Sequence, residues 1–391
     1  MTAEEAIVSR IDAESAALIA LSRDLHAHPE LAFEEHESVR RLLDYVRRHK
    51  AVEIEEGTGG LATAFRAWVG AASGPTIGIV CEYDALAGLG HGCGHNLIAT
   101  SAVAVLAGLA PQAQTLDGRV MVIGSPAEEG QGGKLILAER GAYDGLTAVL
   151  QTHPADRHRL SGPTIGMATL QVEFRGRAAH VGSANDRGIN ALDAMLQLFN
   201  AMNAMRQQVR DGCRLYGIIT RGGEALNTIP DHTAAAIGVR AQTEEYLREL
   251  LERVEACARG AATATGCTVS IGRPPHSYYP PMRLNRTLGR LMGDMLSGLG
   301  ERVEDFPAGF EGYANDVGAV SRLAPAALLN YRIGRPGIAE HSIEFRDAGI
   351  SDEGHRGMIL AAKTMALAAF ALLTDPPLRA RVRAEFERGD A

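Results

Sequence analysis

Short runs of consecutive apolar residues, each bounded by turn-forming residues, recur early in the chain and again near its end. They occupy residues 76–81, 120–123, 148–152 and 326–330. Runs that are apolar at every position are typical of strands in parallel sheets, which helices cover on both faces. Segments with a helical residue period occupy residues 13–24, 35–48 and 354–373. The pattern predicts an α/β fold with a mostly parallel sheet flanked by helices.

The middle of the chain has a different pattern. Strand-like segments at residues 169–174 and 233–240 alternate with helix-like segments at residues 189–207 and 244–265. This order favours a ferredoxin-like α+β domain inserted into the first one. Proline-rich sequence between residues 273 and 281 predicts where the chain returns. We therefore expect a catalytic domain formed by residues 1–167 and 277–391, interrupted by a lid domain at residues 168–276.

Charge and cysteine content argue against several classes of protein. The 391 residues carry 39 basic and 47 acidic side chains, and no long basic run could follow a phosphate backbone. The chain begins with acidic residues, and its longest apolar stretch, residues 358–373, is short and contains Lys363. The five cysteines are widely spaced, which argues against a disulfide framework. We expect a cytoplasmic protein with no nucleic-acid or membrane partner.

Residues suited to metal binding follow two of the predicted strands. Cys93 and His95 lie in a glycine-rich segment after the first strand, and Glu128 and Glu129 follow the second. Thiolate, imidazole and carboxylate are ligands of zinc and related divalent ions. One of the two adjacent carboxylates could bind metal while the other acts as a general base. Each segment alone also fits a structural role, as a glycine-rich turn or as an acidic helix start.

Two further histidines follow later strands. His153 ends the third apolar run, and His341 comes after the last one. A single histidine at such a position is usually structural. Several metal-binding residue types that all follow predicted strands, however, indicate a common site. In an open α/β sheet, functional groups collect at the carboxyl ends of the strands. The sequence therefore predicts that Cys93, His95, Glu129, His153 and His341 meet in one cleft.

Ordered motifs along nearly the whole chain resemble the aminoacylase and glutamate-carboxypeptidase family of dinuclear metallohydrolases, in its auxin-conjugate and aminobenzoyl-glutamate hydrolase branch. The motifs that carry the resemblance are residues 23–35, 83–86, 91–95, 126–130, 152–154, 174–180, 188–194, 222–231, 316–318 and 340–342. The resemblance implies a catalytic domain with an inserted lid that also forms a dimer contact. It further implies hydrolysis of the amide bond of a small N-acyl amino acid or dipeptide-like substrate.

The resemblance also assigns roles to individual residues. It implies that two divalent metal ions, zinc or manganese first and cobalt or nickel as alternatives, are bound by Cys93, His95, Glu129, His153 and His341. Glu128 corresponds to the general base, which takes a proton from water and returns it to the departing amine. Asp84 corresponds to a carboxylate that supports the metal-bound groups.

Lid residues have implied roles as well. His180, Asn227 and Arg240 occupy positions that in relatives bind the substrate carboxylate or the developing oxyanion, and the lid histidine can serve the partner's active site. Two residues depart from the family pattern. Asn96 stands where the branch has aspartate, and Glu82 stands where other branches have a metal-binding histidine.

Two other hypotheses stay open on the sequence alone. Cys93 could act as the nucleophile of a metal-free hydrolase, with His95 or His180 as its base. Alternatively, the chain could be a catalytically silent relative that binds peptides or a metabolite, because a fold does not determine a function. Activity after removal of metal, and a substrate panel, separate these hypotheses from a metal-dependent amidohydrolase.

Overall fold

The computed structural model describes residues 1–389 and divides the chain into two compact units. Unit 1 consists of Met1–Pro163, Met282–Glu311 and the chain from Asp316 onward. Unit 2 consists of Thr164–Pro281 and Gly312–Asn315.

Strands of both units are numbered here along the chain. They are β1 Glu53–Glu56, β2 Phe65–Gly70, β3 Thr76–Cys81, β4 Arg119–Gly124, β5 Ala148–Ala155, β6 Arg159–Leu160, β7 Gly166–Arg175, β8 Arg214–Arg221, β9 His232–Ala241, β10 Thr268–Gly272, β11 Tyr278–Tyr279 and β12 Ala326–Arg332.

Helices are numbered in the same way. They are α1 Ala3–Ala27, α2 His36–Val46, α3 His95–Leu109, α4 Glu128–Gln131, α5 Gly133–Glu139, α6 Ala191–Met205, α7 Glu244–Thr265, α8 Arg286–Gly298, α9 Val317–Val320, α10 Ile343–Ala348, α11 Asp352–Thr374 and α12 Pro376–Arg388.

The sheet of unit 1 has the strand order β1-β2-β4-β3-β5-β12-β6. The four central strands, β4, β3, β5 and β12, are mutually parallel, whereas β1, β2 and β6 pair antiparallel at the edges. These central strands coincide with the four apolar runs of the sequence and are buried except at their ends. The predicted α/β class with a mostly parallel sheet is confirmed.

Both faces of this sheet are covered. Alternate residues of one strand enter different cores: Val120 and Val122 pack with helices α1, α3 and α11, whereas Met121 and Ile123 pack with residues of α5 and α9. Every residue of α3 is buried. Helix α11 has the length and hydropathy of a membrane span, but 78% of its most apolar window is buried inside the protein. It is therefore the core helix that the sequence predicted.

Unit 2 has a ferredoxin-like arrangement. Its main strands are antiparallel in the order β10-β7-β9-β8, with α6 following β7 and α7 following β9. Buried residues of the two helices, including Leu198 and Leu250, pack on alternate residues of β7 and β9 such as Leu170 and Ile237. The sequence did not predict strands β8 and β10, which lie at the two edges of this sheet and are largely exposed. The predicted ferredoxin-like α+β domain is confirmed.

Two helical glycines should respond oppositely to alanine. At Gly357 in α11, an added Cβ would lie 2.4 Å from the Arg332 carbonyl oxygen, whereas at Gly260 in α7 nothing lies within 4 Å. We expect Gly260→Ala to raise the free energy of unfolding by up to about 1 kcal/mol through helix propensity. Gly357→Ala should lower it by about 1–3 kcal/mol through steric strain. Urea unfolding followed by circular dichroism measures both, and equal shifts of the same sign would contradict the packing described.

Candidate active site

The end of β3 and the following loop bring a carboxylate, a thiol and an imidazole to one point. Asp84 follows β3 and is buried. Gly94 adopts a left-handed conformation with φ of 72°, from which the chain enters α3 at His95. A Cβ at this glycine would also lie 2.8 Å from Pro154, so no other residue fits the turn without strain. Cys93 and His95 are consequently held in almost complete burial on either side of it.

A second strand end supplies two carboxylates. Strand β4 ends at Gly124, and Glu128 and Glu129 follow in the short irregular turn α4. Ala127, directly before them, has φ of 59°, a left-handed conformation that alanine rarely adopts. The backbone N–H of Glu129 donates to Asp84 Oδ2 at 2.9 Å. This bond ties the carboxyl ends of the neighbouring strands β3 and β4 together.

Two histidines arrive from distant parts of the chain. His153 lies in β5, and its Nδ1 is 2.8 Å from the Pro154 carbonyl oxygen. His341 lies between β12 and α10 with φ of 59°, and its backbone N–H donates to Gly92 O at 3.0 Å. This contact places His341 Nε2 3.1 Å from Cys93 Sγ.

The candidate residues of unit 1 meet in one cluster. Potential ligand atoms lie within 4.8 Å of one another in three overlapping groups: Cys93, His95 and His153; Cys93, Glu129 and His341; His95, Glu128 and Glu129. Glu129 joins the groups, because its Oε1 is 3.9 Å from His95 Nε2 and its Oε2 is 3.8 Å from His341 Nε2. The structure therefore brings together the five expected metal ligands and the expected general base.

Burial governs the electrostatics of the cluster. It raises the pKa of Glu128 well above its usual range, and the nearby Glu82 carboxylate adds to the effect. Burial also raises the pKa of the Cys93 thiol. Burial alone would lower the pKa of His95, but its interactions with Asp84 and Cys93 raise it well above its usual range. Acidic groups thus outnumber the positive charges available to them, a condition that favours a bound cation.

The donor set fits divalent metal ions. Among residues 1–389, neither His95 Nε2 nor Glu129 Oε1 has a hydrogen-bond partner, although both atoms are buried. Buried polar atoms without partners are costly, and both atoms are of a type that binds metal. The other ring nitrogen of His95 is hydrogen-bonded to Asp84 at 3.1 Å, and that of His153 contacts Pro154. Contacts of this kind orient imidazole ligands towards a metal.

A buried ion cluster lies directly beside Glu128. The Lys134 ammonium is 2.5 Å from both Glu82 Oε1 and Asp316 Oδ1, and all three side chains are fully buried. Glu82 also accepts a hydrogen bond from Gln151 at 2.7 Å. Oxygen atoms of Glu82, Glu128 and Asp316 lie within 4.8 Å of one another. The ammonium thus supplies positive charge at the position where Glu82 replaces a metal-binding histidine of other branches.

Sequence reasoning assigned no role to this cluster. In the sequence, Glu82 is only a departure from the family pattern, and Asp316 only part of a motif. A signal was nevertheless present, because Lys134 is a single charged residue in the otherwise apolar start of α5, and Glu82 directly follows a fully buried strand. Charged residues in such surroundings need partners of opposite charge.

The lid candidates lie in unit 2. His180 and Asn227 are exposed and adjacent, because the backbone N–H after His180, that of Val181, donates to Asn227 O at 3.1 Å. Arg240 lies at the other end of β9, where its Nε donates to Tyr216 Oη at 3.1 Å. The structure therefore groups two of the three expected substrate-binding residues and positions the third separately.

Asn96 has a structural role. Its side chain is fully buried, and its Nδ2 donates to Ser22 Oγ at 3.0 Å and to Gly349 O at 3.1 Å. These bonds connect α3 to α1 and to the end of α10. A carboxylate could not donate these bonds, so aspartate could not replace Asn96 in this role.

Comparisons with known proteins match most of the chain. The Peptidase dimerisation domain of the M20 family matches residues 164–265. Xaa-Arg dipeptidase of Mus musculus is 34% identical over 396 residues, which covers 97% of this chain and 90% of the relative. A p-aminobenzoyl-glutamate hydrolase chain of Escherichia coli K12 is 30% identical over 296 residues, or 70% of this chain and 60% of that protein.

A solved structure shows the same fold. A Bacillus subtilis protein, described as a dinuclear metal binding peptidase from the M20 family, has a TM-score of 0.71 at 21% identity, covering 93% of this chain and 99% of that one. A mostly parallel sheet whose strand ends gather thiol, imidazole and carboxylate groups defines a metal-dependent hydrolase. The extent of the match to the dipeptidase shows that the chain belongs to the M20 family of metallopeptidases, hydrolases of carbon–nitrogen bonds. The motif resemblance is thereby confirmed.

Removal of the Lys134 ammonium should destabilise unit 1. Lys134→Met leaves Glu82 and Asp316 buried without a positive partner, which costs about 3–5 kcal/mol in comparable cases. Glu82→Gln in the same chain should restore part of the loss, because one of the two charges is then removed. Lys50→Met, at an exposed position, is the matched control and should change stability by less than about 0.5 kcal/mol. Urea unfolding measures all three, and a Lys134 variant as stable as the control would refute the charge pairing.

Proposed function

We propose that the protein hydrolyses the amide bond of a dipeptide or small N-acyl amino acid, with two divalent cations in the cluster and Glu128 as general base. The single observation that supports this most strongly is the convergence of thiol, imidazole and carboxylate donors beside Glu128. Cys93, His95, Glu129, His153 and His341 would hold the cations. When bound, the cations would supply Lewis-acid activation of water and of the substrate carbonyl.

The protein's own groups then manage the proton. Glu128 Oε2 is 3.8 Å from His95 Nε2, so its carboxyl group lies at the edge of the donor set rather than outside it. It takes one proton from the attacking water as the new carbon–oxygen bond forms. It returns that proton to the nitrogen as the carbon–nitrogen bond breaks, which lets the amine leave neutral. Asp84 is hydrogen-bonded both to His95 and to the Glu129 backbone N–H. It would therefore fix the position of the ligand His95 relative to the neighbouring base, Glu128.

The substrate class rests on chemistry and on a relative. His180 and Asn227 are exposed donors on adjacent segments, and the Arg240 guanidinium can bind a carboxylate. A substrate with a free carboxylate next to the cleaved amide suits such groups. The name Xaa-Arg dipeptidase of the mouse relative supports a dipeptide as the first substrate to test.

The identity of the metal is proposed from the chemistry of its ligands. Zinc or manganese is the first choice, because one thiolate with imidazoles and a carboxylate suits zinc and the mixed set also accepts manganese, cobalt or nickel.

The state of the cysteines bears on the cellular compartment, because all five are free thiols. Free thiols, two of them half-buried, suit a reducing compartment and support a cytoplasmic location.

Substitution of the general base should separate metal binding from turnover. We expect Glu128→Gln to keep the full metal content, since its five neighbouring ligands remain, and to lower kcat by about 10²–10⁴-fold because proton transfer is lost. Metal analysis by mass spectrometry and release of free amine from a panel of dipeptides and N-acyl amino acids give the two measurements. Near wild-type turnover would remove Glu128 from this role.

The same assay distinguishes the other hypotheses. The 3.1 Å contact between Cys93 Sγ and His341 Nε2 has the geometry of a nucleophile and base, but burial raises the pKa of the thiol and so opposes thiolate formation without metal. A thiol hydrolase would stay active after exhaustive chelation, and the metal-dependent enzyme would not. A metal-loaded protein that cleaves no member of the panel would support a silent binding protein.

We also propose that unit 2 forms a homodimer through β8. This strand lies at the edge of its sheet and exposes Tyr216, Ile218 and Ile219. An exposed apolar edge strand invites pairing with a second copy. The match to a dimerisation domain supports this interpretation.

A charge on this edge should disrupt the dimer. We expect Ile218→Glu, at a position that is 66% exposed, to convert a dimer to a monomer because it buries a carboxylate in the interface. Leu323→Glu, at an exposed leucine of unit 1, is the matched control and should leave the dimer intact. Sedimentation velocity at several concentrations reports the outcome. A dimer that persists with Ile218→Glu would exclude β8 from the interface.

A further inference from the structure

The segment that carries Glu128, residues 127–132, has irregular backbone angles. Ala127 has φ of 59°, Gly130 has φ of 88° and Gly132 has φ of 65°, and Glu129 itself has non-helical angles. A left-handed alanine costs about 1–2 kcal/mol relative to its preferred conformations. Glu128 follows Ala127 directly, so a change of backbone angle at Ala127 would move the carboxyl group of the general base. The conformation must therefore be imposed from outside the segment.

Three buried carboxylates from separate parts of the chain accept hydrogen bonds from the backbone of this segment and of the α5 start that follows it. Glu35 Oε1 accepts from the Ala127 N–H at 2.8 Å, Asp84 Oδ2 from the Glu129 N–H at 2.9 Å, and Asp316 Oδ2 from the Lys134 N–H at 3.0 Å. Asp84 and Asp316 each have a second task, with His95 and Lys134. Glu35 alone has no cationic partner among the described side chains.

Glu35 is placed for this contact by the residues around it. It is fully buried just before α2, and burial raises its pKa to about 7. Glu30, in the same segment, accepts hydrogen bonds from Ser38 and through its carbonyl from the Ala85 N–H at 2.8 Å. The segment is thus attached to the chain that follows β3. Burying a carboxyl group with only uncharged hydrogen-bond partners costs free energy. Packing alone would favour an apolar residue at this position, so the carboxyl group needs another explanation.

We propose that Glu35 is a positioning residue for catalysis: its side-chain oxygen holds Ala127 in the left-handed conformation and thereby aims Glu128 into the metal cluster. This inference rests on the proposed role of Glu128. The contact requires a hydrogen-bond acceptor of the length of glutamate and not a negative charge. Glutamine keeps that acceptor, aspartate is one methylene too short, and leucine has none.

The test compares these variants at saturating and limiting substrate. Glu35→Gln should stay within about threefold of the wild-type kcat, whereas Glu35→Asp and Glu35→Leu should lower kcat by about 10–100-fold, the effect of displacing a catalytic group by about 1 Å. KM and metal content should change less than about twofold in all three. Glu34→Gln, at the adjacent exposed residue, is the matched control. Unchanged kcat in Glu35→Asp, or equal losses in Glu35→Gln and Glu35→Leu, would overturn the proposal.

Two further measurements exclude a merely structural role. Glycine adopts a left-handed conformation without strain, so the Glu35→Asp loss should be at least about threefold smaller in an Ala127→Gly background. Hydrogen exchange of the peptide containing Ala127 should be faster in Glu35→Asp than in wild type or Glu35→Gln, with the metal-free proteins as well. Additive kinetic losses and unchanged exchange would refute the proposal. Exchange does not depend on turnover, so the contact can fail or hold whether or not Glu128 is the general base.

Discussion

Concentrated negative charge without access to water is the constraint from which the rest of unit 1 follows. Glu82 and Asp84 follow β3, Glu128 follows β4 and Asp316 directly precedes α9, and all four are buried or nearly so. Buried carboxylates are tolerated only with cations or hydrogen-bond donors. The protein provides one cation itself, Lys134, and leaves a donor set of the kind that binds divalent ions on the other side. Glu128, the proposed general base, lies close to both groups.

Backbone hydrogen bonds convert this charge cluster into a precise geometry. Asp84 accepts a hydrogen bond from the Glu129 N–H and orients His95, so one carboxylate fixes a proposed ligand at the start of α3 relative to a proposed ligand in α4. Left-handed residues Ala127 and His341 lie next to the reactive groups, and each is stabilised by a hydrogen bond from its own N–H. Backbone strain stored beside functional groups and held by surrounding contacts is a common property of active sites.

The sequence predicted the fold and the clustered residues well where the signal is local. Continuous apolar runs identified the four parallel strands, and the rule that functional groups follow strand ends identified Cys93, His95, Glu128, Glu129 and His153. Strands β1, β2, β8 and β10 were not predicted, because they lie at or next to the edges of their sheets and none of them is buried at every position. The sequence predicted no role for Glu35, Glu82 or Lys134, because each acts through a contact with a residue far away in the sequence. Residue periodicity does not indicate such contacts. The motif resemblance, and not the pattern, supplied the roles in unit 2.

The position of β12 has a consequence for the newborn polypeptide. This strand lies between β5 and β6, yet it is synthesised only after the whole of Thr164–Pro281. Until β12 is available, one edge of β5 is unpaired, and β6 lacks the strand with which it pairs. His341 is later still, so the candidate metal site cannot form before that part of the chain has been synthesised. Open strand edges favour aggregation, and the nascent chain is therefore most exposed to aggregation while β12 is still missing.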